Sequence, residues 1–149
     1  MFGLNACLAV FRRRPAAIRK VWLLASRLPT LREVLRDCAA RRTGYRVVAA
    51  EDLERLTGSQ HHEGVCFEVL RPEPPSLPDL LARLPAGPVQ IVLLDGVGNP
   101  HNLGAILRSA AHFGIAAVLA DGVQPPQLSG AACRIAEGGA EYVPLLRLG

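Results

Sequence analysis

The sequence predicts an α/β protein of two domains, and three features of its 149 residues lead to that prediction. Helix-type and strand-type patterns alternate along the chain, which favours sheets covered by helices. Six prolines fall within residues 71–88 and indicate a stiff, extended linker. Beyond the linker, an apolar strand pattern runs directly into a polar loop and an amphipathic helix. We therefore expect domains at 1–70 and 89–149.

The first 70 residues read as three helices alternating with three strands. The first helix should bury Leu4, Leu8 and Phe11, which share one face. The second has the clearest start, because Thr30 and Glu33 form a capping-box pattern. The predicted elements are helix 3–14, strand 18–24, a helix opening at 30, strand 45–50, helix 51–56 and strand 64–70.

The second domain opens with a strand, a sharp loop and a helix. Val89–Leu94 is almost continuously apolar, which predicts a parallel strand covered on both faces. The loop Asp95–Pro100 follows, and Asn99 or Asn102 can cap the next helix. Gly114 is a natural stop for that helix. The later predicted elements are strand 116–120, helix 127–136 and strand 142–148.

The helix after the loop has two chemically different faces. Its apolar stripe comprises Leu103, Ile106, Leu107, Ala110 and Phe113. Another side carries His101, Arg108 and His112. Because open α/β sheets bind ligands beyond the carboxyl ends of their strands, this helix is the candidate site.

A dinucleotide-binding loop is one alternative at this position. Gly96 and Gly98 are followed by Gly104 rather than by a glycine three residues further on, and no Walker lysine is present. The glycine pattern therefore fails, and an unrelated nucleotide-binding α/β domain is only a third hypothesis.

Basic residues are concentrated in the first third of the chain. Residues 1–46 hold eleven basic and two acidic side chains, a net charge of +9, whereas residues 47–149 have a net charge of −5. This asymmetry indicates a polyanionic partner such as RNA. Arg12, Arg13 and Arg14 are candidate phosphate contacts, and the alternative is that they stabilise a helix C-terminus. Arg41 and Arg42 are the other candidates.

Several classes of protein and site are disfavoured by the remaining residues. No apolar run approaches the roughly 20 residues of a membrane span, and the N-terminus has its apolar and basic parts in the wrong order for a secretory signal. The four cysteines form no CxxC pair, so we expect reduced, buried thiols in a cytoplasmic protein. His61 and His62 are adjacent in a loop and lack further ligands, so no metal site is predicted.

The stretch from Asp95 to Gly114 resembles the first motif of the SpoU (TrmH-like) RNA ribose methyltransferases of the SPOUT superfamily. The matching residues are Asp95, Val97, Asn99, Pro100, Asn102, Leu103, Gly104, Arg108, Ser109, Ala110, Phe113 and Gly114. The resemblance implies methyl transfer from S-adenosylmethionine to a ribose 2′-hydroxyl of ribosomal or transfer RNA. It makes Arg108 and Asn102 the catalytic residues and places Asn99 and Gly104 in the active-site loop.

The first domain resembles the ribosomal-protein-like RNA-binding domain that precedes the catalytic domain in many of these enzymes. The resemblance rests on the opening Phe2–Ala6 and on the closing motif His62–Val65. It implies an N-terminal α/β/α sandwich followed by the first half of a SPOUT domain, which is normally trefoil-knotted.

Two later motifs that build the family's S-adenosylmethionine pocket do not occur in this sequence. We therefore expect a C-terminally truncated chain without the knot, without cofactor-binding residues and without the family's homodimer interface. A non-catalytic RNA-binding module that uses only the basic first third is the second hypothesis.

Arg108 is better suited to electrostatic activation than to proton removal. A guanidinium is a poor base at its normal pKa, but it can stabilise a developing alkoxide and hold the adjoining phosphate. His112 is an alternative base that the motif does not require.

Overall fold

The computed structural model describes residues 1–121 and 127–148. The chain forms two compact units, Met1–Arg71 and Pro72–Gly149. Residues 122–126 and 149, which belong to the predicted second domain, lie outside the described residues.

The first unit contains three helices and a three-stranded mixed sheet. Its central strand, β1, pairs in parallel with β2 and antiparallel with β3, so the strand order is β2-β1-β3. Short 3-10 turns at Pro15–Ala17 and Ala25–Arg27 flank β1. The elements are α1 (Leu4–Arg13), β1 (Ile18–Leu23), α2 (Arg32–Ala40), β2 (Gly44–Val47), α3 (Ala50–Thr57) and β3 (Val65–Val69).

Helices pack on both faces of this sheet, because alternate side chains of a strand point to opposite sides. On one face, Val21 of β1 and Phe67 of β3 join the buried residues of α1 and α2 in a single cluster. On the other face, Cys66 of β3 packs with Leu53 of α3 and Phe2. All four cysteines of the chain are buried, in agreement with the expectation from the sequence.

The buried face of α1 differs from the predicted one. Cys7 and Val10 are fully buried, whereas Leu4, Leu8 and Phe11 are half-buried and pack at the edge of the same cluster. The helix therefore turns its smaller side chains towards the sheet, which permits a close approach. Apolar spacing alone favoured the larger side chains and missed this rotation.

The predicted capping box of α2 does not form. The helix begins at Arg32 with Leu31 at the N-cap position, and no side chain caps it. Leu31 is fully buried, and its N–H donates to the carbonyl of Arg27 at 3.0 Å. Burial of Leu31 and the preceding turn therefore set the start of this helix, in place of Thr30 and Glu33.

The second unit contains a three-stranded parallel sheet with the order β4-β5-β6. Helix α4 precedes the sheet, and α5 and α6 connect its strands. The elements are α4 (Leu77–Arg83), β4 (Ile91–Asp95), α5 (Pro100–His112), β5 (Ala117–Asp121), α6 (Gly130–Ile135), a 3-10 turn (Gly139–Glu141) and β6 (Leu145–Arg147).

One face of this sheet is covered by α5 and α6, and the other only in part by α4. Leu103 and Leu107 of α5 pack on Leu94 and Val118 of the sheet in the main cluster. On the other face, Leu80 of α4 packs with residues of β5 and β6.

Strand β4 is not covered on both faces, contrary to the prediction. It is an edge strand of the described sheet, and Leu93 is 61% exposed. The apolar cluster around Leu80 of α4 includes residues of β5 and β6, and no residue of β4 belongs to it. None of the described helices is both long enough and apolar enough to cross a membrane.

Two other predictions in this unit need correction. Phe113 was assigned to the apolar stripe of α5, but it is 73% exposed because the helix ends at His112 and the chain turns at Gly114, which has φ 68°. The last strand was predicted over Tyr142–Leu148 and covers only Leu145–Arg147. The 3-10 turn and Pro144, which lacks an N–H, delay its start.

Candidate active site

Helix α5 begins where the sequence places it. Pro100 is its first residue, and Oδ1 of Asn99 accepts a hydrogen bond from the N–H of His101 at 2.8 Å. Of the two predicted caps, Asn99 is the one that forms. Asn102 lies in the first turn of the helix and is exposed.

Gly104 lies inside α5, within the predicted helix, and not in the loop before it, to which the resemblance assigned it. It is buried where α5 crosses α6, and a Cβ atom at this position would lie 2.6 Å from the carbonyl oxygen of Ala132 and 2.8 Å from Cβ of Ile135. Gly104 therefore allows two helices to approach closely, and its role is packing.

Arg108 lines a cleft of about 540 Å³ beside the second half of α5. One wall is formed by α5 and Phe113, and the other by the chain that follows α6. The guanidinium of Arg108 is exposed, as predicted, and His112 lies on the same wall. The lining residues are Arg108, Ser109, Ala111, His112, Phe113, Ala136, Glu137, Gly138, Gly139 and Tyr142.

Glu137 forms an ion pair with Arg108 across this cleft. Nη1 of Arg108 lies 3.0 Å from Oε1 of Glu137, and the two side chains are 61% and 42% exposed. Exposed pairs of this kind contribute at most about 1 kcal/mol to stability, because water and ions screen the charges. The contact therefore orients the guanidinium of Arg108 but adds little to the stability of the fold.

The turn that carries Glu137 is pressed against α5. Glu137 has φ 47° and Gly138 has φ 94°, so both occupy the left-handed region. A Cβ atom on Gly139 would lie 2.6 Å from the carbonyl oxygen of Leu107 and 3.0 Å from Cα of Arg108. Only glycine fits there, and this close approach fixes Glu137 beside Arg108.

The structure does not bring Asn102 into the cleft of Arg108. The two residues are six positions apart on one helix, which separates them by about 9 Å along its axis and by about a third of a turn around it. Asn99 also lies outside the cleft lining. Of the four residues predicted for the active site, only Arg108 lines this cleft.

The arginines predicted to bind RNA lie at or just beyond the ends of α1 and α2. Arg12, Arg13 and Arg42 are exposed. Arg14 donates from Nη1 to the carbonyl of Leu70 at 2.6 Å.

Arg41 is held by its own unit on two sides. It donates to the carboxylate of Asp37 and, at 2.6 Å, to the carbonyl of Pro15. The contact with Pro15 brings the end of α2 next to the end of α1, so the two predicted arginine groups share one region of the surface. Arg14 and Arg41 are thereby partly occupied in linking elements of the fold.

Local structure explains the histidines and cysteines outside the cleft. His62 is buried, and its Nδ1 accepts from the N–H of Gly64 at 2.9 Å, so it organises the turn before β3. Burial raises the pKa of the thiols of Cys7, Cys38 and Cys66, which keeps them protonated at neutral pH. Within the described residues, no group of three metal-ligating side chains occurs.

Sequence reasoning missed Glu137 and Tyr142 as cleft residues. The available signal was an acid directly before the pair Gly138–Gly139, just after the predicted helix 127–136. Two adjacent glycines after a charged residue also fit a tight turn that presents that residue.

Family models match both units of the chain. Residues 1–75 match a model described as RNA 2′-O ribose methyltransferase substrate binding. Residues 89–149 match a model described as the SpoU rRNA methylase family.

Curated relatives match almost all of this chain but are longer. An uncharacterized tRNA/rRNA methyltransferase of Haemophilus influenzae is 40% identical over 146 residues, which are 98% of this chain and 41% of the relative. The 23S rRNA (guanosine-2′-O-)-methyltransferase RlmB of Escherichia coli K12 is 32% identical over 153 residues, 99% of this chain and 62% of the relative. The chain thus spans about two fifths to three fifths of the length of these relatives.

Solved structures share the fold. The SpoU methyltransferase AviRb from Streptomyces viridochromogenes, in complex with the cofactor AdoMet, aligns with a TM-score of 0.75 at 23% identity and covers 99% of this chain and 54% of its own. An AdoMet-bound rRNA methyltransferase from Sinorhizobium meliloti aligns with a TM-score of 0.72 at 23% identity, over 99% of this chain and 52% of its own. With the family models matching both units, the chain belongs to the SpoU family of RNA methyltransferases.

Proposed function

We propose that this chain contributes the RNA side of a 2′-O-ribose methyl transfer: RNA binding by the first unit and activation of the ribose by Arg108 of the second. The observation that carries the proposal is the position of Arg108. It is the arginine of the family motif, and it is also the exposed guanidinium of the cleft beside α5.

The chemistry of a ribose hydroxyl explains what Arg108 contributes. A 2′-hydroxyl is a weak nucleophile because its pKa lies far above neutrality, so the negative charge that develops on its oxygen must be stabilised. A fixed guanidinium supplies that stabilisation and can hold the adjoining phosphate through paired N–H donors. A guanidinium acts in this role by its charge and its hydrogen bonds and not as a base.

Asn102 has a separate role in the proposal. It lies in the exposed first turn of α5, about 9 Å along the helix axis from Arg108. We assign its side-chain amide to the target nucleotide at a point other than the one that Arg108 contacts. Asn99 acts indirectly, because it caps the helix that carries both residues.

The first unit supplies the RNA affinity. Residues 1–46 have a net charge of +9, and Arg12, Arg13 and Arg42 are exposed near one another at the ends of α1 and α2. Exposed guanidinium groups at these positions are accessible to the phosphates of an RNA. We therefore assign the phosphate contacts to Arg12, Arg13 and Arg42 first.

S-adenosylmethionine is the proposed donor, and it supplies an electrophilic methyl group on a sulfonium. The AviRb structure and the Sinorhizobium meliloti structure were both determined with this cofactor bound. Among the described residues, neither of two clefts in the second unit fits it: in the cleft of Arg108 the one carboxylate, that of Glu137, is paired with the guanidinium, and a second cleft is lined mostly by apolar side chains around Val92 and Ile106 without a carboxylate. We assign no donor contact to this chain.

The finer architecture is part of the same proposal. The first unit, with helices on both faces of its sheet, corresponds to the ribosomal-protein-like sandwich. The second unit corresponds to the first part of a SPOUT domain without its knot. A ribosomal or transfer RNA substrate places the reaction in the cytoplasm.

RNA binding by this chain tests the proposal directly. A 23S rRNA transcript should bind with an affinity that falls steeply with salt, and Arg108→Ala should reduce the salt slope by about one unit, since one phosphate contact is lost. If Arg108→Ala leaves affinity and slope unchanged, the chain is an RNA-binding module that uses the first unit alone. Calorimetry with S-adenosylmethionine should show no saturable binding, and saturation at micromolar concentration would contradict the donor assignment.

A further inference from the structure

We propose that the carboxylate of Glu137 is a placeholder for phosphate. It pairs with the guanidinium of Arg108 at the position where an RNA phosphate would bind, and an anion must displace it in order to bind Arg108. The inference rests on the proposed function of Arg108 and names a residue that determines specificity at the same site. The carboxylate of Glu137 lies 3.0 Å from Nη1 of Arg108, which is the distance at which a phosphate oxygen would bind.

The backbone holds the carboxylate in this position. The N–H of Glu137 donates to the carbonyl of Arg134 at 3.0 Å, and the N–H of Gly139 donates to the carbonyl of Ala136 at 2.8 Å. Gly139 contacts the backbone of Leu107 so closely that no side chain fits between them. The turn is therefore docked on α5 by its main chain, and the ion pair is a consequence of this docking.

The backbone at Glu137 has an unusual conformation. Glu137 is not a glycine, yet it has φ 47°, and residues in this region are strained unless the surroundings require them. A pair between side chains that are 61% and 42% exposed contributes little stability. A positive φ at a residue other than glycine is often found at functional positions.

The cleft offers further contacts to a nucleotide. The rings of Tyr142 and Phe113, 50% and 73% exposed, line the same cleft as Arg108. Aromatic faces of this kind stack with unpaired RNA bases. A nucleotide whose phosphate replaces the Glu137 carboxylate therefore has apolar surface available for its base.

A placeholder favours polymeric RNA over free anions. An RNA that is already bound by the first unit presents its phosphates at a high effective concentration, and it can displace a weakly held carboxylate. A free nucleotide or inorganic phosphate lacks that advantage and must compete with Glu137 directly. Glu137 thus protects Arg108 from small cellular anions while it remains replaceable by RNA.

The test uses the Nε–Hε NMR signal of Arg108 in the intact chain at low salt, with guanosine monophosphate as the probe. Glu137→Gln keeps the shape of the side chain and removes its charge. It should bind the nucleotide about 2–5-fold more tightly than the wild type, the factor that corresponds to an exposed ion pair. The difference should shrink as salt is added, because the competing charge is screened.

Two further variants control for folding and for net charge. Glu137→Asn removes the charge with a residue that tolerates positive φ, so it should also bind more tightly and keep the thermal midpoint of the wild type. Glu73→Gln removes one exposed negative charge elsewhere in the second unit and should behave as the wild type.

If both Glu137 variants bind the nucleotide as tightly as the wild type or more weakly, the placeholder proposal is wrong. Glu137 would then position the guanidinium of Arg108 and would not compete with anions. The proposed function is decided separately, by adding a 23S rRNA transcript to the wild type. In one outcome, that RNA leaves the Arg108 signal unchanged while Glu137→Gln still binds the nucleotide more tightly. This result would support competition between Glu137 and anions and would contradict the proposed contact of Arg108 with RNA.

Discussion

The backbone N–H of Leu4 donates a 2.8 Å hydrogen bond to Oε2 of Glu63, a residue 59 positions further along the chain. Leu4 is the first residue of α1, and Gly3 before it has no side chain with which to cap the helix. Glu63 therefore caps α1 from the far end of the unit. This bond joins the two short motifs, at residues 2–6 and 62–65, on which the resemblance of the first domain to an RNA-binding domain rests.

Removing this cap should destabilise the first unit. Glu63→Ala leaves an N-terminal N–H of α1 without its acceptor and removes a favourable charge at the helix N-terminus, at a cost of about 1 kcal/mol. Urea unfolding followed by circular dichroism measures the loss. Glu73→Ala, at an exposed acid outside the unit, is the matched control, and equal midpoints for the two variants would show that the cap contributes nothing.

Gly104→Ala should destabilise the second unit although alanine is the better helix former. Glycine inside a helix normally costs up to about 1 kcal/mol relative to alanine. Here the added Cβ would lie 2.6 Å from the carbonyl oxygen of Ala132, so α5 and α6 must move apart. Overpacking of this kind costs about 1–3 kcal/mol and should lower the thermal midpoint.

Gly98→Ala is the control for that substitution. A Cβ at Gly98 meets no atom within 4 Å, and its φ is not positive, so stability should change little. A Gly104 variant as stable as the Gly98 variant would mean that the two helices do not pack as described.

Replacing Arg12 by alanine should affect RNA binding, whereas replacing Arg41 by alanine should affect the stability of the first unit. Arg12 is exposed, so its loss should weaken RNA binding and reduce the salt slope by about 0.9, with stability unchanged. Arg41 bonds to Asp37 and to the carbonyl of Pro15, so its loss should lower the stability of the first unit.

Filter binding at several salt concentrations, combined with urea unfolding, separates the two effects. Arg55→Ala is the control for net charge, because Arg55 is an exposed arginine on α3, on the opposite face of the sheet from α1 and α2. If Arg12→Ala and Arg55→Ala change the salt dependence of RNA affinity equally, the end of α1 makes no specific phosphate contact.

Local signals in the sequence predicted the helix that carries the site. Asn99, Pro100 and Gly114 are a cap, a first residue and a stop, and each acts within one turn of the helix end. Such signals can be read from neighbouring residues alone. The exposed position of Arg108 followed in the same way from helical periodicity.

The features that sequence reasoning missed depend on contacts between distant residues. The close contact of Gly104 with Ala132 and Ile135 exists only because α6 packs against α5. Glu137 reaches Arg108 only because Gly139 docks its turn on α5. Leu93 of β4 was expected to be covered, but coverage depends on where α4 lies, and strand hydrophobicity does not encode that.

Methyl transfer by a chimera tests the role of Arg108 most directly. Residues 1–148 of this chain would be joined to the remaining C-terminal part of Escherichia coli RlmB, the relative that is 32% identical. Circular dichroism and calorimetry with S-adenosylmethionine would first establish that the chimera folds and binds the donor.

Mass spectrometry of a 23S rRNA transcript then measures 2′-O-methylated nucleoside. The chimera should form this product, and Arg108→Ala should slow its formation by about 10²–10³-fold while RNA binding is largely retained, because fixed charge at the reacting oxygen is lost. Equal rates for the chimera and its Arg108→Ala variant would contradict the assignment of Arg108 to the ribose.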